Sequence, residues 1–75
     1  MGKKILIIDD ETDVATMLMY RLRASGYEVI MASTGKDGIR KAETEQPDLI
    51  LLDYKLPDIR SVEIVEQLKF SSQLA

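Results

Sequence analysis

Two continuous apolar runs, Ile5-Leu6-Ile7-Ile8 and Leu49-Ile50-Leu51-Leu52, stand out along the chain, and each ends abruptly in aspartate. A short run without polar alternation is how a strand covered on both faces reads. Tyr27-Glu28-Val29-Ile30-Met31 is a weaker strand. Between it and the first run, Val14, Met17, Leu18 and Leu22 recur at helical spacing. Acids open that segment and Ser25-Gly26 closes it, with glycine suited to the left-handed position past a helix end. The pattern predicts a helix of about four turns. Thr34 is placed to cap a second helix that runs to about Glu45, meets the core through Ile39 and Ala42, and is stopped by Pro47. Gly38 in its middle costs about 1 kcal/mol relative to alanine. Leu56-Pro57 marks a loop, and Val62, Ile64, Val65 and Leu68 outline a third helix before the polar Ser71-Ser72-Gln73.

Strand, helix, strand, helix, strand, helix is the order of an α/β protein with a parallel sheet and helical crossovers, a three-layer (βα)3 unit. Crossovers are right-handed. A third strand that returns beside the first gives the strand order 2-1-3, with the first helix on one face and the second on the other. The carboxyl ends of strands one and three then lie side by side at a topological switch point, where open α/β sheets carry their sites.

The 75 residues, 45% hydrophobic and 31% charged, predict one domain, residues 1–75, with a thin core. The net charge is −3 and the ten basic residues are scattered, which argues against a nucleic-acid partner. The absence of Cys and His excludes disulfides, thiolate chemistry, histidine bases and Cys/His zinc sites. No apolar run approaches the roughly 18 residues of a membrane span, and the expected compartment is the cytoplasm.

Asp9 and Asp10 follow the first strand, and Asp53 follows the third. With neighbouring strands about 4.8 Å apart, the three carboxylates converge in one pocket. Such crowding requires either bound protons or a hard divalent cation, and an all-oxygen set with room for water suits Mg2+ better than zinc. The alternative is structural: acids are favoured at a helix amino end, and an aspartate often starts a loop.

The Ile5–Glu11 segment, the closure near Gly26-Tyr27, the Thr34-Gly35 helix start, the Pro47–Asp53 segment and Leu56-Pro57 together resemble a bacterial response-regulator receiver domain of flavodoxin-like fold, over residues 3 to 69. The resemblance implies that Asp53 is the phosphoacceptor, a carboxylate nucleophile charged by a histidine kinase or phosphotransfer protein. It implies that Asp9 and Asp10 hold Mg2+ beside Asp53, and that the backbone carbonyl of Lys55 is a further ligand. The Lys55 side chain is expected in solvent.

A complete receiver also has a fourth and a fifth strand, with a Ser/Thr and a Lys that bind the phosphoryl oxygens and carry the switch. The expectation is therefore a receiver shortened after its third helix, which does not itself supply those switching contacts. Arg60-Ser61 stands where the family shows Asp-Gly, so the loop either takes another path or begins the third helix earlier with Asp58 as its cap, and Arg60 is either solvated or paired with the acids. The third strand becomes a sheet edge, which predicts a homodimer formed by antiparallel pairing of that edge. Two other readings are a non-phosphorylated module for self-association or kinase interaction, and an artificial fragment of a receiver. Without a base or a phosphate-cradling loop, an independent enzyme is not expected.

Overall fold

The chain folds as β1 (Lys4–Ile8), α1 (Thr12–Ala24), β2 (Glu28–Ala32), α2 (Gly35–Glu45), β3 (Leu49–Leu52) and α3 (Ser61–Ser72). The structure is a computed structural model and describes residues 3–53, 56 and 58–72. The sheet is parallel in the order β2-β1-β3, with Ile7 opposite Met31 on one side and Leu51 on the other. This is the predicted topology. Reciprocal bonds between Lys4 and Asp48 fix the start of β3: Lys4 N–H donates to Asp48 Oδ2 and Asp48 N–H to the Lys4 carbonyl, both at 2.8 Å.

Because side chains alternate along a strand, β1 feeds two cores. Ile5 and Ile7 pack with Ala15 and Val29, supported by Met19, Leu22, Met31 and Leu51 beneath α1. Leu6 and Ile8 pack with Ala32 and Ala42, supported by Ile50, Leu52, Leu56 and Leu68 on the face covered by α2 and α3. Residues Ile5 to Ile8 are 0–3% exposed, as their apolar run predicts.

The stripe of α1 that meets the sheet differs from the predicted one. Ala15 is buried and Met19 and Leu22 support it, whereas Val14, Leu18 and Met17, the last 61% exposed, face outward. Ala15, Met19 and Leu22 are themselves at helical spacing, and the small alanine lets the helix lie close. The exposed set belongs to an adjoining stripe. In α3 the same holds: Ile64 is buried, while Val62 and Val65 are exposed.

The helix ends follow the sequence. Gly26 has φ +96°, and the N–H groups of Gly26 and Tyr27 bond back to the carbonyls of Arg23 and Leu22. Tyr27 is thereby taken into the cap, so β2 begins one residue later than predicted. Thr34 Oγ1 accepts the Asp37 N–H at 3.1 Å, and Gln46 adopts the left-handed conformation just before Pro47. Gly38 is explained by proximity: a Cβ there would stand 2.5–2.9 Å from three side-chain atoms of Ile8. Helix propensity alone favours Gly38→Ala by about 1 kcal/mol, but overpacking costs about 1–3 kcal/mol. Gly38→Ala is therefore expected to lower the urea midpoint, and a raised midpoint would show that Ile8 gives way freely.

Candidate functional site

Asp9 and Asp53 stand one residue past β1 and β3, yet their backbones continue the ladders. Asp9 N–H donates to the Ala32 carbonyl at 3.0 Å and Asp53 N–H to the Ile8 carbonyl at 2.8 Å. The rigid middle of the sheet therefore sets the separation of the two residues. Asp9 Oδ1 accepts the Glu11 N–H at 2.9 Å, which holds the turn into α1. Glu11, the residue preceding α1, makes no side-chain cap. Asp10 lies in that turn and is exposed, whereas Asp9 and Asp53 are half-buried.

Asp9, Asp10 and Asp53 each present a carboxylate oxygen, and these oxygens lie within 4.8 Å of one another. Like charges about 4 Å apart repel by roughly 1 kcal/mol in water and about 4 kcal/mol at the effective dielectric of a protein surface. The donor set is all oxygen, anionic and open on the Asp10 side. It fits a small hard divalent cation that keeps several waters, and lacks the nitrogen and sulfur donors that softer metals prefer. The sequence-predicted acids are thus brought together. Lys55, whose carbonyl the resemblance adds, and Pro57 lie outside the described residues.

On the β2 side of Asp9 is a hollow of about 210 Å³, bordered also by Thr12, Ser33, Asp37 and Lys41. Neither Asp10 nor Asp53 lines it. Lys41 Nζ donates to the Met31 carbonyl at 2.6 Å and pairs with Asp37 at 3.3 Å. The Arg40 guanidinium, then Lys41, holds the Asp37 carboxyl below the ordinary carboxylate value.

Asp58 does not cap α3. Its carboxylate instead crosses to the amino end of α2, where Oδ1 accepts the Gly35 N–H at 2.8 Å and Oδ2 the Lys36 N–H at 3.0 Å. The Lys36 and Gly35 amides hold the Asp58 carboxyl below its ordinary value. The approach is possible because residue 35 is glycine: a Cβ there would lie 1.8 Å from Ile59 Cγ2. Local sequence carries no signal for a contact between residues so far apart along the chain. Arg60 pairs with Glu63 at 3.0 Å in solvent and takes no part in the acid cluster.

Comparison with known proteins identifies the arrangement. The response regulator receiver domain profile matches residues 5–74. The alkaline phosphatase synthesis transcriptional regulatory protein PhoP of Bacillus subtilis is 52% identical over 69 residues, which is 92% of this chain and 29% of PhoP. A CheY-like receiver domain protein from Methanospirillum hungatei superposes with TM-score 0.92 at 37% identity, covering 97% of this chain and 58% of that one. The response regulator TrrA from Thermotoga maritima, solved in complex with Mg2+-BeF, gives TM-score 0.88 at 30% identity, covering 95% and 62%. The chain thus spans under a third of PhoP and somewhat over half of these structural neighbours. Among the described residues no helix is long and apolar enough to cross a membrane. The profile match over nearly the whole chain and the superpositions agree that this chain belongs to the response regulator receiver domain family of two-component signalling.

Proposed function

We propose that residues 1–75 act within one receiver unit that holds Mg2+ with Asp9, Asp10 and Asp53 and accepts a phosphoryl group on Asp53. The observation that carries this is the approach of the three carboxylate oxygens to within 4.8 Å at the switch point of the sheet. Receiver domains are signalling modules that interact with histidine kinases or phosphotransfer proteins and bind Mg2+ at acidic residues. The Mg2+-BeF complex of TrrA is in keeping with the same chemistry here.

A bound Mg2+ would neutralise the charge that gathers on the carboxylates and the incoming phosphoryl oxygens. The Asp53 carboxylate oxygen attacks phosphorus, forming a P–O bond as the P–N bond to the donor imidazole breaks. The electron pair of that bond returns to the imidazole nitrogen, and the product is an acyl phosphate on Asp53. The backbone of Asp53 is anchored to the sheet by its bond to Ile8, and Asp9 by its bonds to Ala32 and Glu11. The resemblance adds the Lys55 carbonyl as a ligand. The chain is read as a phosphoacceptor rather than an enzyme, the compartment that goes with this role is the cytoplasm, and nucleic acid has no part in it.

The test is incubation with Mg2+ and acetyl phosphate, or with beryllofluoride, followed by mass spectrometry or fluorine NMR. An adduct is expected on wild type. Mg2+ binding with no adduct would favour a module that has kept its acids without the transfer chemistry.

β3 is an edge strand whose first residue, Leu49, is 52% exposed, and α1 and α3 also carry exposed apolar residues. A second copy pairing antiparallel with β3 about a twofold axis would cover that edge. The 75-residue chain is expected to sediment as a dimer at tens of micromolar. An 8.5 kDa species at every concentration would remove this partner.

A further inference from the structure

We infer that Asp58 is a positioning residue for the site at Asp53: its carboxylate fastens the connection between β3 and α3 to the amino end of α2. The inference rests on reading Asp9, Asp10 and Asp53 as the reactive cluster. Helix α2 begins with amide N–H groups that have no partner within the helix. Thr34 Oγ1 satisfies one of them, at Asp37, which is the ordinary local cap. The two preceding amides, Gly35 and Lys36, are taken by the two oxygens of Asp58, a residue of the connection that leaves β3. A neutral side chain could cap α2, but two parallel N–H bonds to one carboxylate fix direction as well as distance.

The same connection is tied at other points. Its first residue, Asp53, is held to the Ile8 carbonyl at 2.8 Å. Leu56 packs on the core formed by Leu6, Ile8, Ala32 and Ala42. Ile59 lies so close over Gly35 that any larger residue at position 35 would displace it. Of the described residues that follow β3, Asp53 is thus held by the sheet, Leu56 by the core, and Asp58 and Ile59 by α2. Of these ties, Asp58 is the exposed, polar one. Its removal leaves both hydrophobic cores intact, so its effect on the site can be separated from unfolding.

The experiment compares wild type, Asp58→Ala and Asp58→Asn by amide hydrogen exchange and by titration with MgCl2. In Asp58→Ala, exchange is expected to accelerate at Gly35, Lys36, Leu56 and Ile59 but not in β1 or β2. The Mg2+ dissociation constant should rise about 10-fold, the lower end of what disturbing an outer support of a metal site costs. Asp58→Asn, which keeps one acceptor oxygen in the same shape, should recover part of both losses. Faster exchange at Gly35 and Lys36 with Mg2+ affinity unchanged would make Asp58 a helix cap alone and overturn the inference. Wild type that binds no Mg2+ would instead defeat the functional reading. Exchange at Leu56 and Ile59 would still decide the fastening, which is overturned if these amides do not respond to Asp58→Ala.

Discussion

Asp53→Asn is expected to abolish the adduct that wild type forms with Mg2+ and beryllofluoride or acetyl phosphate, while the far-ultraviolet circular dichroism stays unchanged. The substitution is nearly isosteric and retains the backbone N–H that bonds the Ile8 carbonyl, so the sheet keeps its register. What it removes is the anionic oxygen needed to attack phosphorus and one of the three carboxylates gathered within 4.8 Å. Two readouts should therefore move together. The adduct is lost, because a carboxamide is a poor nucleophile. Stabilisation by metal is also lost or much reduced. A ligand that binds only the folded chain stabilises it by about 2.7 kcal/mol at a concentration 100 times its dissociation constant. For a domain of this size that raises Tm by roughly 10–20 °C. Wild type should show such a rise at saturating Mg2+ and Asp53→Asn should not. An adduct on the variant of the same mass as on wild type would place the acceptor elsewhere.

Ile8→Ala is expected to leave the chain largely unfolded at 25 °C in the absence of Mg2+. Ile8 is fully buried, packs with Leu6, Ala32 and Ala42, and lies directly under Gly38 of α2. Truncating a buried isoleucine to alanine costs about 2–5 kcal/mol, whereas a single core at this length rarely supplies more than about 3–5 kcal/mol. The variant keeps all three aspartates, but its Mg2+ affinity should fall with its structure, because the sheet is what brings those residues together. Glu43→Ala, at an exposed position of α2, is the contrast and should change the urea midpoint little. A cooperative transition for Ile8→Ala with a midpoint near wild type would show that the cores beneath α1 and α2 are less interdependent than β1 implies.

The strand order and the gathering of Asp9, Asp10 and Asp53 were legible because both follow from local pattern and handedness. Unbroken apolar runs mark covered strands, alternation with helices makes the sheet parallel, and aspartates at the ends of neighbouring strands must meet. Which neighbours cover a given side chain was less legible. Ile5-Leu6-Ile7-Ile8 and Leu49-Ile50-Leu51-Leu52 read alike as apolar runs, and it was the predicted strand order that set the first at the centre of the sheet and the second at an edge, where Leu49 is exposed. In α1, two overlapping apolar stripes compete, and the small residue Ala15 rather than the bulkier Val14 and Leu18 decides which one lies on the sheet. Gly38, a weakness by helix propensity, is required by the closeness of Ile8. The sequence offered Asp58 as a local cap for the helix that follows it or left the loop on another path, whereas its bonds reach back to Gly35 and Lys36. Tertiary contacts of that kind leave no periodicity to detect.

The most direct measurement is titration of the isotope-labelled chain with Mn2+, a paramagnetic substitute for Mg2+ that broadens amide signals by proximity. Broadening should begin together at Asp9, Asp10 and Asp53, spare residues at the far end of the sheet such as Lys4 and Glu28, and be reversed by excess Mg2+. Broadening confined to other surface acids, or beginning at Asp9 and Asp10 while Asp53 stays sharp, would contradict a cation shared by the ends of β1 and β3.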